Sequence, residues 1–198
     1  AALQSFALCF KLRSMGYFAE IIDYRCDAIE KEYFSGILSS NISIKSFIKK
    51  ILSFYFIKKR EAEFTSFLKD LCSGEVYNKD NVNLLNRKYD VFISGSDQVW
   101  NLELSNYDWT YFLDFVTDKR KVSYAASFGD KILNQKNYEL IKRYIMSFDG
   151  VSVREDSALD FLKNIGVEKE CEQVLDPTFL LTKEEWIKYC YKIEKGKM

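Results

Sequence analysis

Two hydrophobic periods alternate along this chain. Leu3, Phe6, Ala7 and Phe10 recur at i, i+3, i+4 and i+7, one face of a helix. Met15-Gly16 ends it, because glycine readily adopts the left-handed backbone found just past a helix terminus. Tyr17 to Tyr24, with the apolar pair Ile21-Ile22, reads as a strand. Residues 42–71 read as one long helix or two. Ile44, Phe47, Ile48, Ile51, Leu52 and Tyr55 form one apolar stripe, and Phe64, Phe67, Leu68 and Leu71 form a second. The basic cluster Lys58-Lys59-Arg60 lies between them. From residue 89 onward, short apolar runs alternate with helical periods. Strands are predicted at Tyr89–Ile93, Lys121–Ser127, Val151–Val153 and Glu172–Leu175. Helices are predicted at Gln135–Met146 and at Asp156–Ile165, which Gly166 stops. Thr182-x-x-Glu185 is a capping box, in which the threonine oxygen and the glutamate carboxylate satisfy free backbone donors reciprocally. It opens a last helix through Trp186 and Tyr189.

Strands separated by helices indicate an α/β fold with a parallel sheet. The 198 residues are enough for one large domain, at roughly 100–200 residues per domain. Hydrophobic residues at 47% suffice for a packed core. The chain begins with Ala inside a helical pattern and ends in the polar run Glu194–Met198, so it reads as a piece of a longer protein. Lys plus Arg and Asp plus Glu are 29 each, which argues against a general nucleic-acid binder. There is no histidine, so Ser-His-Asp and Cys-His catalysis are excluded within this chain, and no metal site is expected. Five widely spaced cysteines without a C-x-x-C pair fit reduced thiols and a cytoplasmic protein. No apolar run is long enough for a membrane span. The stretch 44–60 has two readings: a helix that covers the sheet, or a peripheral membrane contact at the inner face with its lysines toward the surface.

The polar residues fall where the predicted strands end. The first strand runs into Ser94-Gly95-Ser96-Asp97-Gln98, the second into Ser127-Phe128-Gly129. The third runs into Arg154-Glu155-Asp156 and the fourth into Asp176-Pro177-Thr178. Parallel strands would place all four ends along one edge, and open α/β sheets bind ligands outside their carboxyl edge. Each group also has a plainer reading. Gly95 can serve a tight turn, Asp97 can cap a short helix, Arg154-Glu155 can be a solvated pair, and Asp176-Pro177 can be a turn. Trp100 and Trp109 are packing residues or sugar platforms. Neither G-x-G-x-x-G nor G-x-x-x-x-G-K-[ST] is present.

The run Gly95-Ser96-Asp97-Gln98-Val99-Trp100-Asn101 resembles a signature of the polysaccharide pyruvyl transferase family. Four further stretches resemble the family in order: Tyr111–Phe115, Ser123–Gly129, Val151–Glu155 and Val174–Thr178. Ala2-Leu3-Gln4 resembles the residues after the family's N-terminal Gly-Asn-x-Gly loop. The resemblance implies a Rossmann-like parallel sheet with flanking helices, similar to the N-terminal domain of a GT-B-like two-domain transferase. On this reading residues 1–180 are that domain without its first strand and glycine-rich loop, and residues 181–198 begin the connection to an absent C-terminal domain.

The implied reaction moves a pyruvyl group from phosphoenolpyruvate, a co-substrate, to a sugar of a cell-surface polysaccharide or its lipid-linked precursor. The product is a pyruvate ketal, and no resident cofactor or metal is implied. The family's Arg and His motif would lie beyond residue 198, so the chain alone is expected to be inactive. Asp97 is the candidate catalytic base. Gly95, Ser96, Gln98, Ser127, Gly129, Arg154 and Asp176 are candidate acceptor- or ligand-binding residues. Two other readings stand beside this one: a nucleotide-sugar glycosyltransferase of similar architecture, and a truncated non-catalytic binding module.

Overall fold

The computed structural model of the chain describes residues 2–29, 56, 59, 62–129 and 135–190. The apolar stripe predicted over 44–55 lies outside them, and so does the membrane contact assigned to 44–60 except at Phe56 and Lys59. Those two residues are helical and exposed.

Helix α1, Ala2–Ser14, buries Phe6, Ala7 and Cys9, while Leu3 stays open to solvent. The chain leaves it through Gly16, whose φ of +91° takes the left-handed conformation. Strand β1, Ile21–Tyr24, is shorter than the predicted run because Tyr17 and Phe18 are exposed and unpaired in any ladder. Its parallel partner is β2, Cys72–Tyr77, a strand that hydrophobic patterning does not reveal. Gly74 and Glu75 interrupt the alternation there, and the segment becomes a strand because β1 offers it backbone partners from Ile21↔Cys72 to Tyr24↔Tyr77.

Strands β3, Val91–Ser94, and β4, Arg120–Ser123, pair in parallel from Val91↔Arg120 to Ser94↔Ser123. Strands β5, Val151–Val153, and β6, Cys171–Gln173, form another parallel ladder. Single parallel bridges, Val122↔Gly150 and Ala126↔Val153, join β4 to β5, so β3, β4, β5 and β6 lie side by side. The strand predicted through Ser127 leaves the ladder after Ser123 because Ala125 takes a φ of +49°. Hydroxyls fill the gap: Ser123 Oγ donates to Ser152 O at 3.0 Å, and Ser152 Oγ donates to Ser123 O at 2.8 Å. The last predicted strand, Glu172–Leu175, is realised one residue earlier and ends at Gln173.

Helices α2, Tyr138–Met146, and α3, Asp156–Asn164, bury Ile141, Ile145, Ala158 and Leu162 in the main core. The first residues of the predicted Gln135–Met146 helix, Gln135–Asn137, form a tighter 3₁₀ turn. Fully buried Trp100 stacks on Phe112 with ring centres 5.4 Å apart and also meets Phe128 and Phe148. Trp109 packs between Phe112 and Tyr144. Both tryptophans are therefore packing residues, and the sugar-platform reading is withdrawn for them.

A second core joins α1 to the chain's later part. Phe6 meets Phe67, Trp186 and Tyr189, with Leu71 and Leu181 buried alongside. Trp186 and Tyr189 belong to α4, Lys183–Cys190. The capping box before it forms as predicted: Glu185 N donates to Thr182 Oγ1 at 3.2 Å, and Thr182 N donates to Glu185 Oε2 at 2.7 Å. Cys9, Cys26, Cys72 and Cys171 are free thiols. Among the described residues no helix is long and apolar enough to cross a membrane.

Candidate functional site

Four strand ends meet at the carboxyl edge of β3, β4, β5 and β6. After β3 the backbone turns at Gly95, with φ of +127°. A Cβ there would stand 2.2 Å from the Tyr124 carbonyl oxygen, so only glycine lets the two strand ends approach. Crowding against β4 accounts for this residue without any ligand. Asp97 follows, also with positive φ, and its carbonyl accepts from Val99 N at 2.8 Å and Ser127 N at 3.0 Å. Its carboxylate accepts from Gln98 N at 2.9 Å. That bond reaches only the next residue, so the helix-cap reading is replaced by a local turn. The carboxylate itself is 41% exposed.

Ser127 is buried, and its Oγ accepts from Gly129 N at 3.0 Å. Gly129 has φ of +74°, and a Cβ there would come within 2.9 Å of both Gln98 Oε1 and Asn101 Nδ2. Asn101 Nδ2 donates to Gln98 Oε1 at 3.2 Å, while the buried Asn101 Oδ1 has no hydrogen-bond partner among the described residues. Gly95, Gln98, Ser127 and Gly129 thus hold two loops together. Ser96 is buried next to α1.

Arg154 stands at the end of β5, its N–H donating to Ala126 O at 3.1 Å and its carbonyl accepting from Gln173 Nε2 at 3.2 Å. Its guanidinium faces three carboxylates: Asp97 Oδ1 at 3.9 Å, Glu155 Oε2 at 3.7 Å and Asp176 Oδ2 at 3.7 Å. These are ion-pair separations, longer than the 2.7–2.9 Å typical of a charged hydrogen bond. Arg154 and Glu155 are therefore part of a larger charge cluster and are not the isolated solvated pair of the plainer reading. Glu155 also accepts from Phe128 N at 3.2 Å, which ties the end of β5 to that of β4.

Asp176 caps the 3₁₀ turn Pro177–Leu180, its Oδ1 accepting from Thr178 N at 3.0 Å and Thr178 Oγ1 at 2.8 Å. The turn reading of Asp176-Pro177 is therefore right as far as it goes. Its other oxygen, Oδ2, faces Arg154 and accepts from Gln4 Nε2. Burial alone would raise the Asp176 pKa. The hydrogen bonds from Gln4 and Thr178, with the Arg154 charge, outweigh it and hold the carboxyl below the usual range. Burial and then the Asp176 charge push the neighbouring Tyr124 phenol up, which keeps it protonated.

The structure brings Asp97, Arg154 and Asp176 together from separate stretches, with Glu155 and Gln4 beside them. Gln4 was absent from the sequence-derived set. Its signal is positional: the first turn of a helix in an α/β unit lies at the carboxyl edge of the strands, where a polar side chain reaches the rim. Behind the rim, Tyr24 at the end of β1 donates from Oη to Asp108 Oδ2 at 2.6 Å, and Asp108 Oδ1 accepts from Thr110 N at 3.0 Å. This braces the 3₁₀ turn Trp109–Phe112, whose Tyr111 carbonyl accepts from Ser94 Oγ and Trp100 Nε1. The loop carrying Asp97 is thereby anchored from both sides.

Chemically, the rim can accept hydrogen bonds at Asp97 and Asp176 and donate them from Arg154. No group of three His, Cys, Asp or Glu among the described residues could hold a metal ion. The family model described as polysaccharide pyruvyl transferase matches residues 1–197. No curated protein matches the chain, and no solved structure does.

Proposed function

The chain belongs to the polysaccharide pyruvyl transferase family, and we propose that its carboxyl-edge rim binds the sugar acceptor of a transferase that uses phosphoenolpyruvate. The observation that carries this reading is the gathering of Asp97, Glu155 and Asp176 around Arg154. Three carboxylates around one guanidinium suit a neutral polyol, whose hydroxyls donate to carboxylates and accept from the guanidinium. The phosphate and carboxylate of the donor would meet net repulsion from the carboxylates and would approach from a face supplied elsewhere, the second half of a GT-B-like pair. The parallel run of β3 to β6 with α2 and α3 supports reading this part as Rossmann-like.

In the proposed reaction the vinyl CH₂ of phosphoenolpyruvate takes up a proton. Two sugar hydroxyl oxygens bond in turn to its central carbon, and the bond from that carbon to the phosphate oxygen breaks. Of the two hydroxyl protons released, one balances the proton now in the methyl group and the other leaves with inorganic phosphate. Asp97, anchored through its backbone and open to solvent, is the base for an attacking hydroxyl. Asp176 and Arg154 orient the sugar, which is free or carried on a lipid. Gly95, Ser96, Gln98, Ser127 and Gly129 shape the loops that present these groups.

The test is made on the intact gene product, given phosphoenolpyruvate and a panel of saccharides, with nucleotide sugars as alternative donors. Saccharide-dependent phosphate release together with a pyruvate-ketal mass increment on the saccharide is the expected result. Transfer from a nucleotide sugar instead would replace this reading with the glycosyltransferase one. Asp97→Ala is expected to lower turnover about 10²–10⁴-fold with the unfolding midpoint nearly unchanged, and an unaltered rate would remove Asp97 from the chemistry.

A further inference from the structure

Asp176 divides its two oxygens between different neighbours. Oδ1 is occupied by its own turn, through Thr178 N and Oγ1. Oδ2 is contested: Arg154 Nη1 lies 3.7 Å away, and Gln4 Nε2 donates to it directly. Gln4 Nε2 also lies 3.4 Å from Ser96 Oγ, in the loop that leads to Asp97. One neutral amide from α1 therefore touches both the Asp176 turn and the Asp97 loop, on either side of Arg154.

A free carboxylate that close to a guanidinium closes onto it, because the charged hydrogen bond is strong and directional. Here it does not. Among the described residues no acceptor lies within hydrogen-bonding distance of the Arg154 guanidinium, although three carboxylates stand within 3.9 Å. The Gln4 amide occupies one acceptor position of Oδ2 without adding charge. A lysine in its place would neutralise Asp176, and an alanine would release it.

We propose that Gln4 is a positioning residue: it holds the Asp176 carboxylate back from Arg154 and so keeps the guanidinium donors available at the rim. It acts through Asp176 and does no chemistry itself. The consequence for catalysis rests on the transferase reading above, but the positioning does not, and the two are measured separately.

The measurement is ¹⁵N NMR of the arginine side chains in the 198-residue chain, with the Arg154 signal identified by its loss in Arg154→Lys. Rotation about the Nε–Cζ bond is fast in an unclamped guanidinium and slow in one locked to a carboxylate. In the parent chain Arg154 is expected to rotate fast. Gln4→Ala should slow it at least about tenfold, a factor worth 1.4 kcal/mol, as Asp176 closes in. The double variant Gln4→Ala with Asp176→Asn should restore fast rotation, because the neutral amide cannot lock the guanidinium. Ser96→Ala, which leaves the Gln4 contact to Asp176 in place, should have no effect. A loss of folding would speed rotation at every arginine, so it cannot imitate slowing at one. Unchanged Arg154 rotation in Gln4→Ala, or slowing that survives Asp176→Asn, would overturn the assignment. Failure of the pyruvyl transfer assay would leave this result standing.

Discussion

Gly95 and Gly16 both have positive φ, yet substitution should affect them differently. At Gly16 an added Cβ meets nothing within 4 Å, so Gly16→Ala costs only the left-handed backbone, roughly 1–2 kcal/mol. At Gly95 the Cβ would overlap the Tyr124 carbonyl oxygen, which belongs to backbone and cannot swing away. Gly95→Ala is expected to lose at least about 2 kcal/mol more than Gly16→Ala, because a strand end must shift. Urea denaturation of the two variants side by side checks this, and equal losses would reject the crowding argument. Gly95 is also where the plain reading and the ligand reading part company. Glycine here is explained by the approach of two strand ends, whereas the Asp97 carboxylate two residues on is 41% exposed at the rim and faces Arg154 at 3.9 Å. That contrast is why the functional weight falls on Asp97.

At the scale of elements, local chemistry predicts best where the interaction is itself local. The capping box at Thr182 and Glu185 forms both of its bonds. Thr182→Ala is expected to cost about 1 kcal/mol, read from the urea midpoint. No loss at all would mean that the packing of α4 on Phe6 holds this helix end unaided. The apolar faces of α2 and α3 are buried where their periodicity places them, at Ile141, Ile145, Ala158 and Leu162. β2 is the opposite case. Its residues carry neither alternation nor a continuous apolar run, and its pairing partner β1 lies some fifty residues earlier, so a window of neighbouring residues contains no trace of it.

The whole molecule couples these elements through its charges and its aromatic core. Asp176 and Asp108 both sit below the ordinary carboxylate range. In each, burial acts to raise the value and hydrogen bonds outweigh it, from Gln4 and Thr178 at Asp176 and from Tyr24 and Thr110 at Asp108. A carboxyl depressed in the folded state contributes stability above its unfolded pKa, about 3.9 for Asp. That contribution is lost as pH falls through the folded value. The urea midpoint should therefore drop below about pH 4, and Asp108→Asn should flatten the drop. A slope equal to that of the parent chain would show that other groups govern acid unfolding. Trp100→Ala removes the ring that meets Phe112, Phe128 and Phe148, and should cost about 3–5 kcal/mol. Because Trp100 Nε1 also donates to Tyr111 O at 3.2 Å, the same change should loosen the loops at the rim.

The sequence by itself determined the α/β class, the positions of most helices and strands, and the family to which the chain belongs. It also placed Asp97, Arg154 and Asp176 at strand ends, because strand period and turn chemistry are properties of neighbouring residues. Tertiary structure alone decided what those ends do together. Parallel pairing carries residues far apart in the chain to one edge, and only there does Arg154, beside its neighbour Glu155, face Asp97 and Asp176 from two other stretches. The same packing turned Trp100 inward, made Gly95 a point of contact with Tyr124, and brought Gln4 from the first turn of α1 onto Asp176. Each of these rests on a contact between residues distant in sequence, which no pattern of neighbours encodes.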